Sequence, residues 1–114
     1  MPTSLPVLRV RFYRTREGRE VVREWLKKLP ADERKAIGDD IRTMQFGWPL
    51  GMPLVRSLES GIWEVRTRLP NRIARVLFTT FESEAVLLHG FIKKSQQTPL
   101  HDLRLARRRK RELK

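Results

Sequence analysis

Three stretches of the chain carry residue types that together suit cleavage of RNA by its own 2′-hydroxyl. Arg66 and Arg68 alternate along one, Arg75 lies on the next, and His89 and Lys93 lie on a third. That reaction needs a base to take the 2′-hydroxyl proton and an acid for the leaving 5′-oxygen. It also needs cations to hold the extra charge on a phosphorane-like transition state. Arginine suits the cation task, because its planar fork grips phosphate oxygens and keeps its charge. An imidazole, with an ordinary pKa near ~6.5, or a lysine crowded by other cations, can move the protons. Each type also has a plain use. Strand arginines are commonly just solvated, a half-buried histidine can bond a backbone carbonyl, and Lys93 and Lys94 can discourage edge pairing at a strand end. Only a shared placement would make them a site.

The elements that must supply that placement are legible from periodicity. Residues 7–13 alternate, with Val7, Arg9 and Arg11 against Leu8, Val10 and Phe12, which predicts a strand. Residues 19–29 carry Val21, Val22, Trp25, Leu26 and Leu29 as a helical stripe, ended by Pro30. Asp32 and Glu33 open a second helix with Ile37, Ile41 and Met44 on one side, stopping at Gly47. Residues 54–58 and 62–69 then form strands about a turn at Ser60 and Gly61. In the second of these, Trp63, Val65, Thr67 and Leu69 face one way, and Glu64, Arg66 and Arg68 the other. After Pro70 and Asn71, residues 72–80 point Ala74, Val76 and Phe78 to the core and Ile73, Arg75 and Leu77 away from it. In residues 85–93, simple alternation puts Leu87, His89, Phe91 and Lys93 on one face. Thr98 reads as an N-cap with Pro99 at the first helical position of a last, basic helix. The order is β-α-α-β-β-β-β-α, an α+β domain with an antiparallel meander sheet packed against two N-terminal helices and a C-terminal helix.

Bulk composition narrows the partners. The chain has 25 Lys+Arg against 13 Asp+Glu, a net charge of +12 in 114 residues. Such a balance attracts polyanions. Seven basic residues and one acidic between Arg104 and Lys114 supply +6 of it. Arg104, Arg107, Arg108, Arg109, Lys110 and Arg111 are therefore candidate RNA-binding residues, docking on phosphates by counterion release, as are Arg68 and Lys94 on the strands. There is no cysteine, and His89 and His101 are twelve positions apart, so no metal motif and no cofactor are expected. Pro2 and Pro6 break the start of the chain, and no apolar run is long enough for a bilayer. One domain over residues 1–114, with its basic tail at about 99–114, and a cytoplasmic location are expected.

Two segments carry a family resemblance. "GIWEVRTRLPNRIARVLFT" and "VLLHGFIKKSQQTP" resemble the RelE/ParE toxin superfamily. The likeness is to the HigB-like, phage-derived branch of type II toxin–antitoxin systems. The matching motifs span residues 58–66 and 89–99, the helical stretch from Trp25 to Gly47 also fits, and the likeness extends over about residues 13–105. The resemblance implies a microbial RNase-type (RelE-like) fold and ribosome-dependent cleavage of messenger RNA. It also implies a cognate antitoxin, often a helix-turn-helix protein, and no metal. Carried over by position, it puts Arg66 and Arg75 on phosphate and transition-state charge. His89 or Lys93 becomes acid or base, and Lys94 an RNA contact. The pattern departs from some RelE relatives in lacking a tyrosine near the C-terminus; the one tyrosine is Tyr13. Two other readings stay open: a ParE-like inhibitor of DNA gyrase, and a non-catalytic RNA- or ribosome-binding module attached through the tail.

Overall fold

The computed structural model describes residues 5–93 and 97–113. Its elements are β1 (Arg9–Phe12), α1 (Val21–Lys27), α2 (Ala31–Gly47), β2 (Val55–Glu59), β3 (Ile62–Leu69), β4 (Arg72–Phe81), β5 (Glu84–Lys93) and α3 (Leu100–Arg111). This is a mixed α+β arrangement, compatible with a RelE-like fold. The strands β2 to β5 form the expected antiparallel meander, and β1 adds to it in parallel beside β5, giving the sheet order β1-β5-β4-β3-β2. A parallel neighbour needs a long return connection, and here the helices and the meander supply it.

The sheet is covered on both faces. Under α1 and α2, Val22, Ile37, Ile41 and Met44 pack against Val65, Val76, Phe78 and Leu87. Trp48, Trp63 and Phe78 close one end of this layer, with ring centroids 5.0–5.8 Å apart. On the other face α3 contributes Leu103 and Ala106 over Ile62, Leu77, Val86 and Leu88. The expectation that Leu77 faces away from any core is corrected by this second layer, where it is fully buried.

One irregularity in β5 decides where the site lies. Leu77 pairs with His89 and Phe78 with Leu87, so Leu88 is an extra residue opposite none. A bulge of this kind re-aims the chain beyond it. Leu87 therefore lies under α1 and α2, whereas Leu88 and His89 take the opposite face. The expected common face for Leu87 and His89 is wrong for this reason. The carbonyl of Leu88 accepts a 2.7 Å hydrogen bond from Arg109 Nη1, which ties the bulge to α3.

Gly90 follows on the α1 face, opposite Val76. A Cβ there would lie 2.4 Å from Trp25 Cε3, closer than the ring can tolerate without moving. Gly90→Ala should destabilise the fold by about 1–3 kcal/mol, read as a lower urea midpoint with an unchanged slope. An unchanged midpoint would mean that Trp25 swings aside freely.

Candidate functional site

The pairing register stacks the candidate residues in three rows on the α3 face of the sheet. Arg68, Ile73 and Lys93 form the outermost row, Arg66, Arg75 and Phe91 the next, and Glu64, Leu77 and His89 the innermost. Directly paired residues share a face, strands lie ~4.8 Å apart, and rows two residues apart lie ~7 Å apart. Arg66, Arg68, Arg75, His89 and Lys93 thus fall on one patch about 10 Å across the strands and ~14 Å along them. The helix α3 covers the inner end of this face, and its first turn borders the patch.

The inner corner of the patch is a buried carboxylate that alternation alone would place in solvent. Glu64 is fully buried, and its Oε2 accepts a 2.7 Å hydrogen bond from the Thr98 hydroxyl. Arg66 Nε lies 3.6 Å from Oε1 and Arg75 Nη1 3.9 Å from Oε2. Arg56 is placed opposite Glu64 on β2. The carboxylate thus offsets the mutual repulsion of a cluster of arginines and fixes where they stand. Thr98 is drawn into this network, so it does not act as the expected cap. The helix α3 has Pro99 at its N-cap and no side-chain cap bond.

The arginines differ in access. Arg75 is wholly buried, its Nη1 also 3.4 Å from Thr98 Oγ1 as donor, and burial lowers its pKa while Glu64 opposes that. In this arrangement no phosphate reaches it, so the expected direct role does not fit its position. Arg66 keeps 13% of its side chain exposed, and Arg68 and Lys93 are exposed. Lys94 lies outside the described residues.

His89 is held from the first turn of α3. Its Nε2 is 2.6 Å from Asp102 Oδ1, and Asp102 is itself buried. Phe91 stacks on the ring at 5.4 Å. Burial lowers the imidazole pKa from its ordinary value, and the Asp102 bond opposes but does not cancel that. In the neutral ring with Nε2–H donating to Asp102, Nδ1 carries the lone pair and can take a proton. Asp102 was not among the sequence candidates. A carboxylate two positions inside a predicted helix gave no cue beyond its favourable place near the positive helix end.

The lowered pKa has a consequence for stability. Above about pH 6.5 His89 is neutral folded and unfolded, so it contributes nothing. Below that value the unfolded chain takes up a proton that the folded chain resists, and stability falls with acidification until folded His89 is protonated too. Wild type should therefore lose stability more steeply than His89→Gln as the pH falls below about 6.5, measured by urea unfolding. Parallel curves would contradict the assignment.

The basic C-terminal helix is docked along its length. Arg107 grips both oxygens of Glu59 at 2.6–3.0 Å. Arg109 combines its bond to Leu88 with a position 5.3 Å over the Tyr13 ring, and the Tyr13 hydroxyl donates to Glu112. Arg107 and Arg109 are thus committed within the molecule, while Arg104, Arg108 and Arg111 are exposed and Lys110 is half-buried. No helix among the described residues is long and apolar enough to cross a membrane.

A family model described as phage-derived protein Gp49-like matches residues 24–111. The chain belongs to the Gp49-like family. This is a family of RelE-like toxins, and the matched stretch of the Gp49-like chain takes in all three rows of the patch, Thr98, Asp102 and α3. No curated protein matches it.

Proposed function

We propose that this protein is the toxin of a type II toxin–antitoxin system, of the HigB-like kind, acting as a ribosome-dependent endoribonuclease on messenger RNA. The observation that carries the reading is the common face of Arg66, Arg68, Lys93 and His89, with the His89 ring oriented by Asp102. Cations and a held imidazole on one sheet face suit a phosphodiester better than they suit a protein surface. Family membership supports the toxin reading. A cognate antitoxin, expected to be a helix-turn-helix protein, would mask this basic face.

The chemistry follows from the positions. His89 Nδ1 accepts the 2′-hydroxyl proton, the 2′-oxygen attacks phosphorus, and the bond from phosphorus to the 5′-oxygen breaks. Arg66 and Arg68 hold the non-bridging oxygens as charge builds, in an arrangement that Glu64 and Arg75 have already set. The Lys93 ammonium protonates the leaving 5′-oxygen. The exposed arginines Arg104, Arg108 and Arg111 add attachment to ribosomal RNA without sequence choice.

The test is induced expression in a bacterial host with mapping of new 5′ ends on abundant messages. Growth arrest with new ends that disappear when translation is blocked, and in an Arg66→Ala/His89→Ala variant, is the expected outcome. Arrest with intact messages would replace this reading with a protein target such as gyrase.

A further inference from the structure

The edge of β3 beside the arginine patch carries no paired strand beyond Leu54 among the described residues. The β2 pairing begins at Val55 opposite Val65, preceded by a 2.8 Å bond from the Arg66 amide to the Leu54 carbonyl. That bond directs the Arg66 amide toward the β2 side. By strand alternation the amide and carbonyl of Arg68 point the same way, where β2 no longer runs. The β3–β4 hairpin projects past this point, and an open groove of about 620 Å³ lies against it.

The lining of this groove is divided by chemistry. Leu54, Leu69 and Ile73 supply apolar surface, and Arg66, Arg68 and Arg72 supply positive charge. Arg72 is anchored by Glu33 of α2, whereas the Arg68 side chain forms no ion pair among the described residues. One carboxylate, Asp40 of α2, completes the wall, and it too forms no ion pair among the described residues.

We infer that this groove binds one nucleotide of single-stranded RNA next to the bond that is cut. The inference rests on the ribonuclease reading for the identity of the polymer and deepens it. The base lies against Leu54, Leu69 and Ile73, its phosphate meets Arg68, and Asp40 accepts a hydrogen bond from an exocyclic amino group. The volume falls within the ~300–1,000 Å³ of small-molecule sites. Unstacked bases of single-stranded RNA are read in this way, by apolar contact and by hydrogen bonds to their edges. The three arginines of the lining favour a polyanion, and an apolar floor beside a single carboxylate suits a base with an amino group. The Asp40 carboxylate accepts readily from the amino group of cytosine. Uracil presents a carbonyl oxygen at that position and loses the bond. Asp40 is therefore assigned as a specificity-determining residue.

The test uses the full chain and two probes, short fluorescent oligocytidylate and oligouridylate, with binding followed by anisotropy. Wild type should bind the cytidine oligomer roughly tenfold more tightly. Asp40→Asn should bring the two within about twofold, because the amide's donor can now serve uracil. Arg68→Ala should weaken both alike. Equal affinities in wild type, or a preference that survives Asp40→Asn, would overturn the inference. Neither cleavage nor ribosomes enter the measurement, so its failure leaves the ribonuclease reading standing. An Asp40-dependent preference in a protein that cuts no message would sink that reading and leave the groove.

Discussion

A Glu64→Ala variant should lose about 3–5 kcal/mol of folding stability at neutral pH, the largest loss expected of any single charge removal in this chain. Glu64 and Arg75 are both fully buried, so solvent screens their interaction little, and removing the carboxylate takes the compensating negative charge out of the arginine cluster. The Thr98 hydroxyl loses its acceptor at the same time. An exposed pair gives the contrast. Lys35 and Asp39 lie 2.9 Å apart on α2 but are 77% and 62% exposed, and Asp39→Ala should leave the urea midpoint almost unchanged. Urea unfolding of the two variants beside wild type measures both. A Glu64→Ala cost below that of a surface pair would mean that water already reaches the arginine cluster.

Arg66→Ala should reduce translation-dependent cleavage by about 10²–10³-fold, the cost of removing one fixed donor from a transition-state anion. His89→Ala should cost about 10²–10⁴-fold through loss of proton transfer. Both act on the same transition state, so the double variant should fall little below the worse single one. Arg66 retains some exposure and His89 lies at the border of the α3 layer, so circular dichroism should show both variants folded. Single-turnover cleavage on programmed ribosomes reads the rates. Multiplying losses in the double variant would show that the two residues act independently of one another.

Periodicity carried the order of elements and the inward residues, because each strand and helix buries one regular stripe. What it could not carry came from irregular or long-range contacts. The run Ala85, Val86, Leu87, Leu88 is apolar throughout, so nothing in it marks Leu88 as the residue that bulges and turns His89 to the other face. Glu64 alternates with hydrophobic neighbours as an exposed residue would. Its buried carboxylate is met by Thr98, which is 34 positions away and arrives only with the last connection. The basic tail has few apolar positions and reads as a solvated end. It docks through Arg107 on Glu59, 48 positions apart, and through Arg109 on the bulge carbonyl. Asp102 became visible as the partner of His89 only once α3 was laid across β5. The parallel placement of β1 likewise follows from the chain's return path and leaves no local signature.

The central claim is most directly tested by the chemistry of the ends that the purified protein makes on programmed ribosomes. Attack by the 2′-hydroxyl predicts a 2′,3′-cyclic phosphate on the upstream fragment and a 5′-hydroxyl on the downstream one, with both fragments lost in Arg66→Ala. Fragments bearing a 5′-phosphate, or cleavage that proceeds equally well in Arg66→Ala, would contradict the account.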